Sequence, residues 1–139
     1  MNELALADVC HRHGVSLVVL FGSQATGMAR PDSDLDLGIL VDEYPVEPAR
    51  ELALIRDLVY ALRRADLDVI ILNQANPSLC YQAARDGRPL YEREPGTFDR
   101  FRFRAWKRFI DTARFRRLQG PFIEAFLRGE VYRARQVGS

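Results

Sequence analysis

Gly22-Ser23 is followed, ten residues later, by Asp34-Leu35-Asp36, with an apolar run before the glycine and another after the second aspartate. Side chains of a strand alternate between faces, so Asp34 and Asp36 share one. Their Cα atoms then lie about 6.5–7 Å apart, and two carboxylates at that spacing repel by roughly 2 kcal/mol at an effective dielectric near 20. A structural strand gains nothing from this, whereas a divalent cation reverses its sign. Mg²⁺ takes oxygen ligands and is held by one or two carboxylates plus substrate phosphates. Gly22 allows close approach of backbone to a ligand. Ser23, as the N-cap of a short helix, brings a hydroxyl and free N–H groups to an anion. The pattern is that of a site for a metal–nucleoside triphosphate.

A third carboxylate would complete such a site. The stretch "RRADLDVIIL" offers Asp66 and Asp68. Both share a face if extended, and Asp68 abuts the apolar strand directly, so it is the better placed; Asp66 is expected to be solvated. Ser23 and Asp32 taken alone would be ordinary capping and turn residues.

The elements that must position these groups alternate between strand and helix. Residues 3–13 predict a short helix stopped by Gly14. Residues 16–21 predict a buried strand, and residues 35–41 a second. The clearest helix is 47–64, with Pro48 in its first turn and Leu52, Ile55, Leu58, Val59 and Leu62 on one face. Residues 67–72 predict a third buried strand. Asn76 and Pro77 open a helix that Gly87 ends, and "RPLYE" follows as a short edge strand. Residues 97–118 predict a helix with Phe98, Phe101, Trp106, Phe109, Ile110 and Ala113 as candidate buried positions. Gly120-Pro121 predicts a break, and a last helix covers 121–130. The expected fold class is α/β, with a helical tail.

Composition narrows the function classes. The chain has 139 residues, 47% of them apolar and 28% charged, as in an ordinary soluble domain. No apolar stretch has the length of a membrane span, and the N-terminus lacks signal-peptide features, which predicts a cytoplasmic protein without membrane attachment. Cys10 and Cys80 lack metal-ligand spacing and read as free thiols. Lys107 is the only lysine, which argues against a P-loop. His11 and His13, two apart on a helix, do not face one site. Tyr81 and Tyr91 read as partly buried with wet hydroxyls. Residues 1–96 hold 15 Asp+Glu and 9 Arg, a net of −6, whereas residues 97–118 hold 8 Arg+Lys and 2 Asp, a net of +6. Such asymmetry fits an acidic metal-bearing site beside a basic contact surface, or a basic helix packed on an acidic domain. A basic-aromatic run such as residues 100–104 is weak evidence for RNA binding, so direct nucleic-acid binding is not expected.

The stretch "GSQATGMARPDSDLD", with "LDVIILNQANPSLCYQAARDGRPLYE" behind it, resembles the DNA polymerase β-like nucleotidyltransferase superfamily. Within it the chain is similar to the minimal nucleotidyltransferases (MNT proteins), specifically the MntA-like adenylyltransferase antitoxins paired with HEPN toxins. The resemblance covers residues 14–94. It implies a small mixed sheet of the polymerase β palm type flanked by helices, with residues 1–94 as the nucleotidyltransferase core and 95–139 as a helical extension packed on it. It implies that Asp34, Asp36 and Asp68 are catalytic metal ligands, that Gly22 and Ser23 grip the triphosphate, and that Arg30 touches phosphate. It further implies two Mg²⁺ ions, ATP as substrate, and transfer of AMP to a tyrosine of a cognate HEPN ribonuclease toxin, with a homo-oligomer or a hetero-oligomer with the toxin as the assembly. The alternatives are an antitoxin that acts by binding alone, and transfer to a small-molecule hydroxyl such as that of an aminoglycoside.

Overall fold

The computed structural model describes residues 2–22 and 35–127, with Arg116 and residues 118–127 as backbone only. The order of elements is α1 (Glu3–His13), β1 (Val15–Phe21), β2 (Leu35–Val41), α2 (Pro48–Leu62), β3 (Leu67–Ile71), α3 (Pro77–Asp86), β4 (Arg88–Glu92) and α4 (Thr97–Leu127). The strands form one mixed sheet in the order β3-β2-β1-β4. β1 is antiparallel to β2 and β4, and β2 is parallel to β3.

Local chemistry sets the helix ends. The Asn2 side chain accepts from the Leu4 and Ala5 amides at 3.1 and 3.2 Å, and Gly14 closes α1 in the left-handed conformation at φ 64°, where glycine carries no Cβ penalty. Pro48 starts α2, at the position where its missing N–H is not needed. Asn76 caps α3 by accepting from the Leu79 amide at 2.8 Å.

β1 and β2 are central and buried on both faces, so they read as continuous apolar runs. On one face Val18, Leu37 and Ile39 pack with Leu6 and Val9 of α1 and Leu54 and Leu58 of α2. On the other, Leu17, Val19, Phe21 and Leu72 pack with Cys80 and Ala83 of α3 and Phe98, Phe101 and Ala105 of α4. The result is a helix–sheet–helix sandwich. Both cysteines are free and buried, and burial pushes the Cys10 thiol up to about 12. Among the described residues no helix is long and apolar enough to cross a membrane.

Four expectations are corrected. α4 runs unbroken through Gly120-Pro121 to Leu127. A proline removes one i→i−4 bond and kinks or weakens a helix, and here the helix continues past it. Trp106 and Ile110 are exposed and Ala105 is buried in their place. At about 100° per residue, positions 98, 101 and 105 form the one stripe that meets the sheet layer, and 106 and 110 turn away from it. Leu52 is exposed for the same reason: the buried stripe of α2 is Leu54, Leu58, Ala61 and Leu62, which keeps Leu58 and Leu62 of the predicted face and brings in Leu54 and Ala61 instead of Leu52. β3 is a sheet edge, and of its residues only Ile71 is fully buried.

Candidate active site

The phase of β2 decides where its carboxylate points. Leu35, Leu37 and Ile39 enter the core under α1 and α2, so Asp36 faces the α3/α4 side, together with Gly38. The residue after β3, Leu72, packs directly over Gly38: a Cβ there would stand 2.8 Å from Leu72 Cδ1. Asp68 is the register partner of Asp36 in the parallel β2–β3 pair. Cross-strand partners in a parallel sheet project to the same face, with strands about 4.8 Å apart. Asp36 is half-buried and Asp68 exposed, so the pair stands at the rim of the sheet, where the apolar cover ends.

Gly22 completes the described part of the site. Phe21 is the β1 partner of Asp36, and the chain then turns at Gly22 with φ 77°. A Cβ at Gly22 would overlap the Asp36 carboxylate, with the Asp36 Cγ at 3.2 Å. Two constraints therefore demand glycine here: a left-handed backbone and the space the carboxylate fills. Ser23, Arg30 and Asp34 lie outside the described residues.

Asp66 belongs to the scaffold. Its carbonyl accepts from the Leu35 amide at 2.8 Å, which joins the starts of β2 and β3. Its carboxylate accepts from Arg64 Nε at 2.9 Å, and that bond holds the Asp66 carboxyl below its usual range. Asp68 makes no ion pair with a described residue, so the two aspartates of "DLD" differ in kind.

Hard oxygen donors on one face, next to backbone that a ligand can approach, fit Mg²⁺ and phosphate chemistry. The donors at this rim are carboxylates; Cys80 is on the same face but buried in the apolar layer, and the carboxylates suit a hard cation rather than a thiophilic one.

A mixed sheet in the order β3-β2-β1-β4 with helices on both faces is the polymerase β-like nucleotidyltransferase fold. The chain belongs to the family described as Polymerase beta, Nucleotidyltransferase, which matches residues 5–96, and it is by family an enzyme of the nucleotidyltransferase class. It is 27% identical over 135 residues to the protein adenylyltransferase MntA of Aphanizomenon flos-aquae (strain 2012/KM1/D3), covering 91% of this chain and 90% of that protein. In fold it is similar to a crystal structure of a toxin–antitoxin with AMP-PNP, at TM-score 0.68 and 21% identity over 91% of this chain and 99% of the other. It is also similar to a structure of the tri-AMPylated Shewanella oneidensis HEPN toxin in complex with MNT antitoxin, at TM-score 0.62 and 20% identity over 91% of this chain and 96% of the other.

The sequence marked residues 97–118 as a basic contact surface but did not place that helix against α3. Tyr81 stacks on Phe109 with ring centroids 4.1 Å apart, while Phe103 and Trp106 stand exposed beside them. The signal was present in the aromatic spacing of residues 98–110, and a helix of unknown phase left it unreadable.

Proposed function

We propose that this protein transfers AMP from ATP to a tyrosine hydroxyl of a partner HEPN-domain toxin, and thereby acts as its antitoxin. The observation that carries the reading is the in-register pair Asp36 and Asp68 beside the left-handed Gly22, in a chain that matches a protein adenylyltransferase over 90% of that protein's length. In the reaction the acceptor oxygen attacks the α-phosphorus, a new O–P bond forms, the bond to the bridging oxygen of the β-phosphate breaks, and pyrophosphate leaves.

Asp34, Asp36 and Asp68 are the residues that would hold Mg²⁺, which supplies charge neutralisation and activation of the acceptor hydroxyl when bound. Gly22 keeps the backbone open for the triphosphate, and Ser23 would offer its hydroxyl to the departing pyrophosphate. Arg30 adds a cation to the phosphates. Asp36 is fixed in direction by the strand and by its contact with Gly22, so the acceptor and the α-phosphorus meet on the α3/α4 face of the sheet.

Intact-mass measurement tests this. The purified HEPN-domain partner, incubated with this protein and Mg-ATP, should gain one or more AMP units, with tyrosine as the modified residue in peptide maps. The gain should vanish with EDTA. A stable complex without any mass gain would instead establish inhibition by binding alone.

A further inference from the structure

The start of β3 offers two aspartates, Asp66 and Asp68, whose Cα atoms are at most about 7 Å apart. We infer that Arg64 is a positioning residue for the metal site: its guanidinium fork holds the Asp66 carboxylate away from the cation and leaves Asp68 as the β3 ligand. The inference rests on the metal reading of Asp36 and Asp68.

Backbone geometry alone does not choose between the two. Asp68 is the register partner of Asp36. Asp66 also lies against β2, since its carbonyl accepts from the Leu35 amide at 2.8 Å, and Leu35 stands between Asp34 and Asp36 in the chain. Both side chains are carboxylates, which a hard cation takes alike. The rim therefore presents one carboxylate more than the site uses.

Arg64 breaks the tie. Its backbone is fixed by the end of α2. Arg63 turns left-handed there at φ 56°, and the Arg64 amide reaches back to the Val59 carbonyl at 3.3 Å, a pairing that closes a helix C-terminus. Arg63 is the one non-glycine residue with positive φ among the described residues, so the turn that delivers Arg64 is held against a conformational cost. The Arg64 side chain meets Asp66 as a fork. Its Nε donates to one carboxylate oxygen at 2.9 Å and its Nη2 donates to the other. Such a bidentate pair fixes both groups in direction. The pair is neutral as a whole, and a cation approaching Asp66 meets the guanidinium charge at both oxygens. Asp68 makes no ion pair with a described residue, so no such fork shields it.

Stability does not account for the pair. Its two side chains are 34% and 37% exposed, and ion pairs so placed contribute little to folding. Its consequence for the site is larger, because it sets which carboxylates a cation can reach.

The test uses the full chain, with Mn²⁺ alone as the probe and its binding read by water-proton relaxation. Mn²⁺ takes the same oxygen ligands as Mg²⁺. Arg64→Gln frees Asp66 and should tighten Mn²⁺ binding about 10-fold. The rate of AMP transfer to the HEPN-domain partner should nevertheless fall about 10-fold, because the cation is shared with the wrong carboxylate. Asp66→Asn releases the guanidinium toward Asp68 and should weaken Mn²⁺ binding about 10-fold. Arg64→Lys keeps the charge and loses the fork, so it should bind Mn²⁺ at least about threefold more tightly than the wild type. Thermal melts report the folding of each variant. A merely structural pair would weaken Mn²⁺ binding in Arg64→Gln and Asp66→Asn alike, and a plain charge effect would leave Arg64→Lys at the wild-type affinity; either result overturns the proposal. So does an affinity unchanged in all three variants. A wild type that binds no Mn²⁺ would remove the metal reading, and this inference with it. The full pattern in Mn²⁺ binding without any AMP transfer would remove the transfer reading and leave the role of Arg64 standing.

Discussion

The two ends of β2 treat their carboxylates in opposite ways. At the far end everything is fastened. The Asp42 amide donates to the Gly14 carbonyl at 2.8 Å, and its carboxylate takes both guanidinium nitrogens of Arg93 at 2.5 and 2.7 Å. The Asn73 amide clamps Val41, accepting from its N–H at 2.9 Å and donating to its carbonyl at 3.0 Å. Nearby, the last residue of α1, His13, meets Asp57 of α2 at 2.7 Å. At the near end Asp36 has a second carboxylate, Asp68, as its register partner. Both ends belong to one strand, so backbone propensity cannot explain the difference. Opposite charges close the far end for stability; like charges at the near end cost stability and are intelligible as a binding surface.

The sharpest way to break this contrast is Asp36→Asn. The substitution is nearly isosteric and leaves the far end untouched. Transfer should fall by about 100-fold or more, since losing a ligand exceeds the effect of losing a ligand's supporting contact. The melting temperature without metal should hold or rise. Near-normal transfer would show that the near-end carboxylate is scaffold after all. Next in size is Gly22→Ala. An alanine at φ 77° costs about 1–2 kcal/mol in backbone terms, and its Cβ must also displace the Asp36 carboxylate. Stability and ATP affinity should therefore fall together, in thermal melts and nucleotide titration. A variant of unchanged affinity would mean that the Gly22–Asp36 contact does not shape the site.

Much of this was legible in the chain. The order of elements followed from Gly, Pro and Asn punctuation and from apolar runs, because those residues act through the local backbone. The common face of Asp36 and Asp68 needed one further fact, that β2 and β3 pair in register, which no local signal carries. Helix phase failed at Leu52, Trp106 and Ile110. Several apolar stripes coexist on α2 and α4, and only the neighbouring layer selects among them. Gly120-Pro121 failed as a stop signal because a proline weakens a helix without forbidding it. The clamp on Asp42 by Arg93, 51 residues away in sequence, was invisible for the same reason as the strand register.

Asp68→Asn sharpens the contrast on the stability side. Carboxylates about 5 Å apart repel by roughly 0.8 kcal/mol in water and about 3 kcal/mol at a dielectric of 20. The exposure of Asp68 favours the lower figure. Without metal the variant should be more stable by about 1 kcal/mol in urea unfolding, and the gain should diminish with added salt. A loss of stability would mean that Asp68 holds the sheet edge together.

The smallest effect belongs to the far end and appears as a pH dependence. The hydrogen bond from His13, with Arg56 and Arg12 nearby, holds the Asp57 carboxyl below its usual value of 3.8. A depressed folded value means that the native state favours the ionised form. The contribution is therefore fully present above about pH 4 and is lost as pH falls through the folded value. Asp57→Asn removes the charge and keeps the shape. Its deficit against the wild type should be about 1 kcal/mol at pH 6 and should shrink steadily below pH 3.8, as the wild-type carboxyl protonates and the two proteins converge. Urea titrations of the variant and the wild type at pH 6 and pH 3 would measure this. A deficit for Asp57→Asn that persists unchanged at pH 3 would mean that its role is packing, and the claim that the far end is held by charge would lose this contact.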